Sequence, residues 1–175
     1  MSSNSLKRGE LLSRMLVLAV NSHNGQFDKA GVPYILHPLH VMGNLPNDDE
    51  ELQCIALGHD LVEDCKVTYH KLMELDFTSR VIEGIRNVTK VPGETEEEYL
   101  AKVIAGGVDS ISVKIEDLRH NSDITRLKGV TEKDVTRNVK YWNMYLKLKE
   151  ALKEARHKAE VKARAPWPFP TKSSN

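Results

Sequence analysis

Residues 55–64 read Ile-Ala-Leu-Gly-His-Asp-Leu-Val-Glu-Asp, and this segment decides how the rest of the chain is interpreted. Its first half is apolar, whereas its second half carries the ionisable side chains His59, Asp60, Glu63 and Asp64. On a helix, Glu63 lies one turn from His59 and Asp60, and Asp64 lies one turn from Asp60. Acidic side chains are almost never fully buried unless they are paired or bind a metal. The segment therefore predicts a core-facing helix that ends in a polar cluster.

The polar cluster has two interpretations when it is taken alone. A neutral imidazole beside a carboxylate is a good ligand pair for Mn, Fe or Zn. A His-Asp dipeptide is also common, however, and an isolated one favours a hydrogen-bonded helix end. The metal interpretation gains weight because His37, before Pro38, and Asp117, in an apolar helix, offer further ligands of the same kind.

The remaining sequence predicts an all-α fold. Apolar residues recur at helical spacing along most of the chain, and polar residues suited to N-caps precede these segments. The predicted N-caps are Asn47, Thr68, Thr78, Thr95 and Thr131. Glu98 completes a capping box with Thr95. Aromatic residues at 6% and only 10 glycines disfavour an all-β sandwich.

Length and charge limit the possible functions. A chain of 175 residues is expected to form one domain. Lys and Arg number 25, as do Asp and Glu, so the net charge is zero, which disfavours nucleic acid or an anionic membrane as a partner. The longest apolar run, residues 15–20, is far shorter than the roughly 20 residues of a membrane span.

The ends and the cysteines add three further expectations. Residues 5–160 are expected to form the folded domain, and residues 165–175, with three prolines, an irregular tail. The N-terminus lacks a signal-peptide pattern. The two cysteines make no disulfide framework and fit a reducing compartment, so a cytoplasmic location is expected.

Five segments in a fixed order make the chain recognisable. They are residues 23–26 (His-Asn-Gly-Gln), 31–38 (Gly-Val-Pro-Tyr-Ile-Leu-His-Pro), 56–64, 87–90 (Asn-Val-Thr-Lys) and 113–121 (Val-Lys-Ile-Glu-Asp-Leu-Arg-His-Asn). With them, the region from about residue 8 to 150 resembles the hydrolase domain of the RelA/SpoT family, in particular its small stand-alone hydrolases. That domain is an HD-domain helical bundle of the metal-dependent phosphohydrolase superfamily.

The resemblance implies an enzyme with a defined site and reaction. It implies one divalent metal, manganese in the family, with the ligands His37, His59, Asp60 and Asp117. Two acids, Glu63 and Asp64, would position and activate the attacking water. Two residues, Lys29 and Asn121, would help to hold the nucleotide. The family reaction removes the 3′-pyrophosphate from (p)ppGpp, the alarmone of the stringent response, and leaves GDP or GTP.

One position departs from the family pattern. The family loop usually carries an arginine just after its Gln-aromatic pair, where it helps to hold the guanosine nucleotide, whereas this chain has Asp28. A carboxylate near a polyphosphate is unfavourable unless the loop turns it away. Two alternatives therefore stay open: the same chemistry on another nucleotide, such as a dinucleotide 2′-phosphate or a nucleoside phosphate, or a catalytically silent nucleotide-binding module. The sequence also leaves open which metal is loaded and whether the chain forms a homo-oligomer.

Overall fold

The computed structural model describes Lys7 and residues 9–164, and its regular elements are helices. They are α1 (Glu10–Ser22), α2 (Leu36–Gly43), α3 (Glu50–Gly58), α4 (Leu61–Asp64), α5 (Tyr69–Glu74), α6 (Ser79–Val88), α7 (Glu96–Ala105), α8 (Gly107–Asn121) and α9 (Glu132–Arg164), with a 3-10 turn at Ile124–Arg126. The predicted all-α fold is confirmed. The predicted tail, residues 165–175, lies outside the described residues, and the domain limits remain a prediction. Within the described part, no helix combines the length and apolar character that crossing a bilayer requires.

Four helices, α5, α6, α7 and α9, begin at predicted caps. The hydroxyls of Thr68 and Thr78 each accept a hydrogen bond from a backbone amide in the first turn of their helix. Thr95 and Glu98 form the predicted reciprocal capping box. Thr131 likewise accepts from the Asp134 amide at the start of α9. The predicted cap at Asn47 is wrong, because Asp49 accepts from the Leu52 amide at 3.0 Å and α3 begins at Glu50.

The segment of residues 55–64 is not one continuous helix. Helix α3 ends at Gly58, and α4 begins only at Leu61. At this break His59 Nδ1 donates to the carbonyl of Ala56 at 2.7 Å, so a side chain competes for an acceptor in the last turn of α3. The amide of Asp64 still donates to the carbonyl of Asp60 at 2.8 Å, so the one-turn spacing of the acids is retained.

Helix α8 lies between two apolar clusters. The larger cluster is built from α1 to α6 and receives Val113 from α8. The smaller cluster joins α7, α8 and α9, and α8 contributes Ile111, Ile115 and Leu118 to it. Asp117 follows this apolar pattern on α8 and is itself buried. The packing therefore fixes a carboxylate at the centre of the molecule, where α2 and α3 also contact α8.

A close approach of α3 and α6 predicts a stability effect. A methyl group added to Gly84 would overlap with Ile55 Cδ1 and lie 2.7 Å from its Cγ1, and Ile55 is fully buried. We expect Gly84→Ala to lower the free energy of unfolding by about 1–3 kcal/mol, as overpacking does in a dense core. Urea denaturation measures this loss. Gly43→Ala is the control, because its methyl group would meet open space, and equal midpoints for the two variants would contradict the prediction.

Candidate active site

Four predicted ligands converge at the centre of the molecule. His37 lies on α2, His59 and Asp60 lie at the break after α3, and Asp117 lies on α8. The Nε2 atoms of the two histidines are 3.2 Å apart. Asp60 Oδ2 lies 3.1 Å from His59 Nε2, and Asp117 Oδ1 lies 3.1 Å from His37 Nε2. His37, His59 and Asp60 each offer a ligand atom, and these atoms lie within 4.8 Å of one another.

The hydrogen bonds on the far sides of the imidazoles aim both Nε2 atoms inward. His59 Nδ1 donates to the Ala56 carbonyl at 2.7 Å. His37 Nδ1 lies 2.7 Å from His120 Nδ1, which also accepts from the Arg126 guanidinium at 2.9 Å. Because an arginine can only donate, His120 Nδ1 is an acceptor and His37 Nδ1 is the donor. When both imidazoles are neutral, their Nε2 lone pairs face each other and two carboxylates, an arrangement that fits a divalent cation.

The ionisable groups of the cluster shift one another's pKa values. Burial alone would lower the pKa of His59, but the carboxylates of Asp60 and Asp117 outweigh it and hold that pKa well above the usual value. Burial alone would raise the pKa of Asp117, but Lys114 and the two histidines hold it well below its ordinary value. For Asp60, His59 also overcomes the effect of burial and lowers the pKa to about 2. Both carboxylates are therefore ionised, as ligands of a cation must be.

Neighbouring side chains orient the two carboxylates. The hydroxyl of Tyr34 donates to Asp60 Oδ2 at 2.7 Å, and Lys114 Nζ lies 2.6 Å from Asp117 Oδ2. Asn121 Nδ2 donates to Asp117 Oδ1 at 2.6 Å, so the residue expected to contact nucleotide also contacts a ligand. Neither Tyr34 nor Lys114 was predicted from the sequence to act in the site. The spacing of Lys114, three residues before Asp117 on an apolar helix, was the available signal for their pairing.

The two predicted catalytic acids border a cavity of about 270 Å³ beside the cluster. Its lining includes Asp60, Glu63, Asp64, Asp117 and Asn121. Glu63 and Asp64 are open to the solvent of this cavity, and Glu63 accepts a hydrogen bond from the Lys90 amide at 2.9 Å. Partial desolvation raises the pKa of both acids, and the charge of Asp60 raises both further. Such carboxylates are better proton acceptors than ordinary ones.

A second cavity, of about 410 Å³, adjoins the first. The two share Tyr34, Asn121 and Tyr141 in their linings. The second cavity carries three cations, Lys29, Arg126 and Arg137. Of these, only Lys29 was expected from the sequence. A larger cavity of about 690 Å³, bordered by residues 48–52, has none of the predicted site residues in its lining.

Asp28 borders the second cavity, but its carboxylate is bound by the amides of its own loop. Its Oδ1 accepts hydrogen bonds from the amides of Ala30 and Val32, both at 2.9 Å. Its Oδ2 lies 2.8 Å from Arg126 Nη2, and the side chain is 15% exposed. Burial would raise the pKa of this carboxyl, but the two amides and Arg126 hold it below the usual value. The carboxylate therefore closes the loop and holds an arginine at the second cavity.

This geometry predicts that Asp28 matters for stability. We expect Asp28→Arg to lower the free energy of unfolding by about 1–3 kcal/mol, because two amides lose their acceptor and Arg126 meets a like charge. Thermal and urea denaturation measure the loss. Asp48→Arg serves as the control, since Asp48 is exposed and outside this loop. A variant at residue 28 as stable as the parent chain would show that the loop does not depend on this carboxylate.

The all-α fold joins a His-Asp pair at a helix break with a histidine from α2 and an aspartate from α8. This arrangement defines a helical domain of the HD type. No family model matches the chain. Among curated relatives, it is 31% identical over 140 residues to a guanosine-3′,5′-bis(diphosphate) 3′-pyrophosphohydrolase of Vibrio cholerae, a match that covers 74% of this chain and 20% of the relative. It is also 31% identical over 123 residues to a protein of the same name from Aquifex aeolicus, covering 66% of this chain and 18% of the relative.

A solved structure shares this fold. It is described as a metazoan ortholog of SpoT that hydrolyzes ppGpp, and it aligns with a TM-score of 0.66 at 20% identity. The alignment covers 90% of this chain and 99% of that one. The resemblance predicted from the sequence is thus confirmed: over 74% of its length the chain is homologous to hydrolases of the RelA/SpoT family. The chain spans about a fifth of the length of these curated relatives.

Proposed function

We propose that this protein is a metal-dependent phosphohydrolase that removes the 3′-pyrophosphate of (p)ppGpp and leaves GDP or GTP. One observation carries the proposal: a buried His/Asp cluster borders a cavity with two solvent-accessible acids, and a cation-lined cavity adjoins it. The names of the relatives supply the substrate class. In this proposal residues 5–160 form the hydrolase domain. The enzyme is cytoplasmic, which its two free cysteines support.

Within the proposal, the protein side chains divide the chemistry between them. The metal ligands are His37, His59, Asp60 and Asp117. A mixed imidazole and carboxylate set suits manganese among the divalent ions. When bound, such an ion lowers the pKa of a water molecule and polarises a phosphate oxygen.

The two acids at the cavity would receive the proton of the attacking water. Glu63 is the stronger candidate for the general base, because the Lys90 amide fixes one of its oxygens while the side chain stays open to the cavity. Asp64 lies on the same short helix, and the Gln26 side chain donates to its carbonyl at 3.3 Å. That hydrogen bond ties α4 to the loop after α1, so the acids are held by the loop that also borders the second cavity.

The second cavity would bind the nucleotide. Arg126 and Arg137 add positive charge beside Lys29, and Tyr141 adds an aromatic surface between the two cavities. Guanidinium groups bind phosphate oxygens with directed, charge-assisted hydrogen bonds. Asp28 supports this role by fixing Arg126 at the cavity.

A second candidate is the same chemistry on a less highly charged nucleotide. It is favoured because each cation of the second cavity already faces a carboxylate. Lys29 and Arg137 lie 3.7 and 2.9 Å from Asp134, and Arg126 lies 2.8 Å from Asp28. Paired cations attract a polyphosphate less strongly than free ones.

A panel of nucleotides decides between these candidates. The manganese-loaded protein is incubated with ppGpp, a dinucleotide 2′-phosphate and nucleoside monophosphates, and released pyrophosphate and phosphate are measured separately. We expect pyrophosphate and GDP from ppGpp. Phosphate from another nucleotide, with ppGpp untouched, would establish the second candidate. Binding of nucleotide without any product, in protein with full metal content, would indicate a silent binding module. Parallel loading with magnesium and zinc identifies the preferred ion.

A further inference from the structure

The outer face of α9 carries a row of exposed apolar side chains. This α9 row consists of Val135, Val139, Trp142 and Leu146, with exposed fractions between 48% and 58%. The opposite face of the helix places Met144 and Leu148 in the smaller apolar cluster. Residues in the row are spaced by four, three and four positions, which is the heptad spacing of a coiled-coil seam. A contiguous row of this kind marks an interaction surface.

We propose that the α9 row is the interface of a homodimer in which two α9 helices pack antiparallel. The two-fold axis would pass near residues 140 and 141. Val135 of one chain then packs against Leu146 of the second chain, and Val139 packs against Trp142 of the second chain. Each contact occurs twice, as an isologous interface requires.

Charges at the two ends of the α9 row favour a second copy of this chain as the binding partner. Glu132 and Lys149 continue the heptad by three residues at either end, and both are exposed. In the antiparallel register, Glu132 of each chain faces Lys149 of the other. A parallel pair would instead oppose Glu132 with Glu132 and Lys149 with Lys149, which repels at both ends. The row is therefore complementary to itself in one orientation.

The size of the row sets the strength of the dimer. From Val135 to Leu146 the helix rises about 17 Å, at roughly 1.5 Å per residue. A helix contact of this length buries less surface than the roughly 1,200 Å² of a standard stable complex. We therefore expect a dimer that dissociates in the micromolar range. Arg137 and Tyr141 border the second cavity and lie off the row, so the dimer is independent of the proposed function.

Sedimentation equilibrium of the full chain from low to high micromolar concentration tests the proposal. The average mass should rise from the 19.8 kDa of one chain toward twice that value. Val139→Lys should weaken the dimer at least about tenfold, because it places a charge in each apolar contact. Val161→Lys is the matched control, since Val161 is equally exposed on α9 but outside the row. Circular dichroism confirms that both variants are folded.

A charge exchange tests the register. Glu132→Lys alone and Lys149→Glu alone should each raise the dissociation constant about three- to tenfold, because like charges then meet at both ends. The double variant should return to the value of the parent chain. A chain that stays monomeric at every concentration overturns the dimer, as does an equal effect of Val139→Lys and Val161→Lys. A double variant no tighter than the single ones overturns the antiparallel register.

Discussion

His59→Ala will lose bound metal and activity together. The imidazole offers its Nε2 to the cluster, 3.1 Å from Asp60 Oδ2 and 3.2 Å from His37 Nε2, and its removal leaves three of the four proposed ligands. A catalytic metal contributes several kcal/mol to stabilising the transition state, so activity should fall by at least about 10³-fold. Metal content measured by elemental analysis and the rate of pyrophosphate release should decrease together.

A surface histidine provides the matched control for this variant. His70→Ala removes an exposed imidazole on α5, where the neighbouring charge is Glu74, and should change neither metal content nor rate. Chelation and dialysis of the parent chain should abolish the activity, and added manganese should restore it. Full activity in the metal-free parent chain would exclude the proposed mechanism. Loss of activity in His59→Ala at full metal content would show that His59 acts otherwise than as a ligand.

The Glu63→Gln variant should have the metal content of the parent chain but a lower kcat. The amide oxygen of glutamine can still accept the hydrogen bond from the Lys90 amide, so the local structure is retained while the charge is removed. A positioned general base contributes about 10²–10⁴-fold to the rate. We expect kcat to fall by this factor, with little change in KM, because the lost interaction is made in the transition state.

The control for Glu63 is an acid of the same type elsewhere on the surface. Glu83→Gln changes an exposed glutamate on α6, and its rate should equal that of the parent chain. A proportional fall of metal content and rate in Glu63→Gln would identify Glu63 as a ligand or a support of the cluster. Equal rates in Glu63→Gln and the parent chain would assign the role of general base to Asp64.

The sequence alone determined several helix starts of this protein and the chemical types in its site. A threonine before an apolar periodic segment satisfies free amides of a helix start, and this depends only on neighbouring residues. Thr68, Thr78 and Thr95 were therefore predictable. The ligand types were predictable too, because ionisable groups in the apolar contexts of Asp60 and Asp117 need a partner or a metal.

Only the tertiary structure decided how distant residues meet. Asp28 pairs with Arg126, 98 positions later in the chain, and no local pattern relates the two. The same holds for the chain of hydrogen bonds from Arg126 through His120 to His37. Asp49, and not Asn47, caps α3, and Asp49 also forms an ion pair with Arg80 of α6. Ion pairs and hydrogen bonds depend on distance in space, so their partners are fixed only when the helices pack.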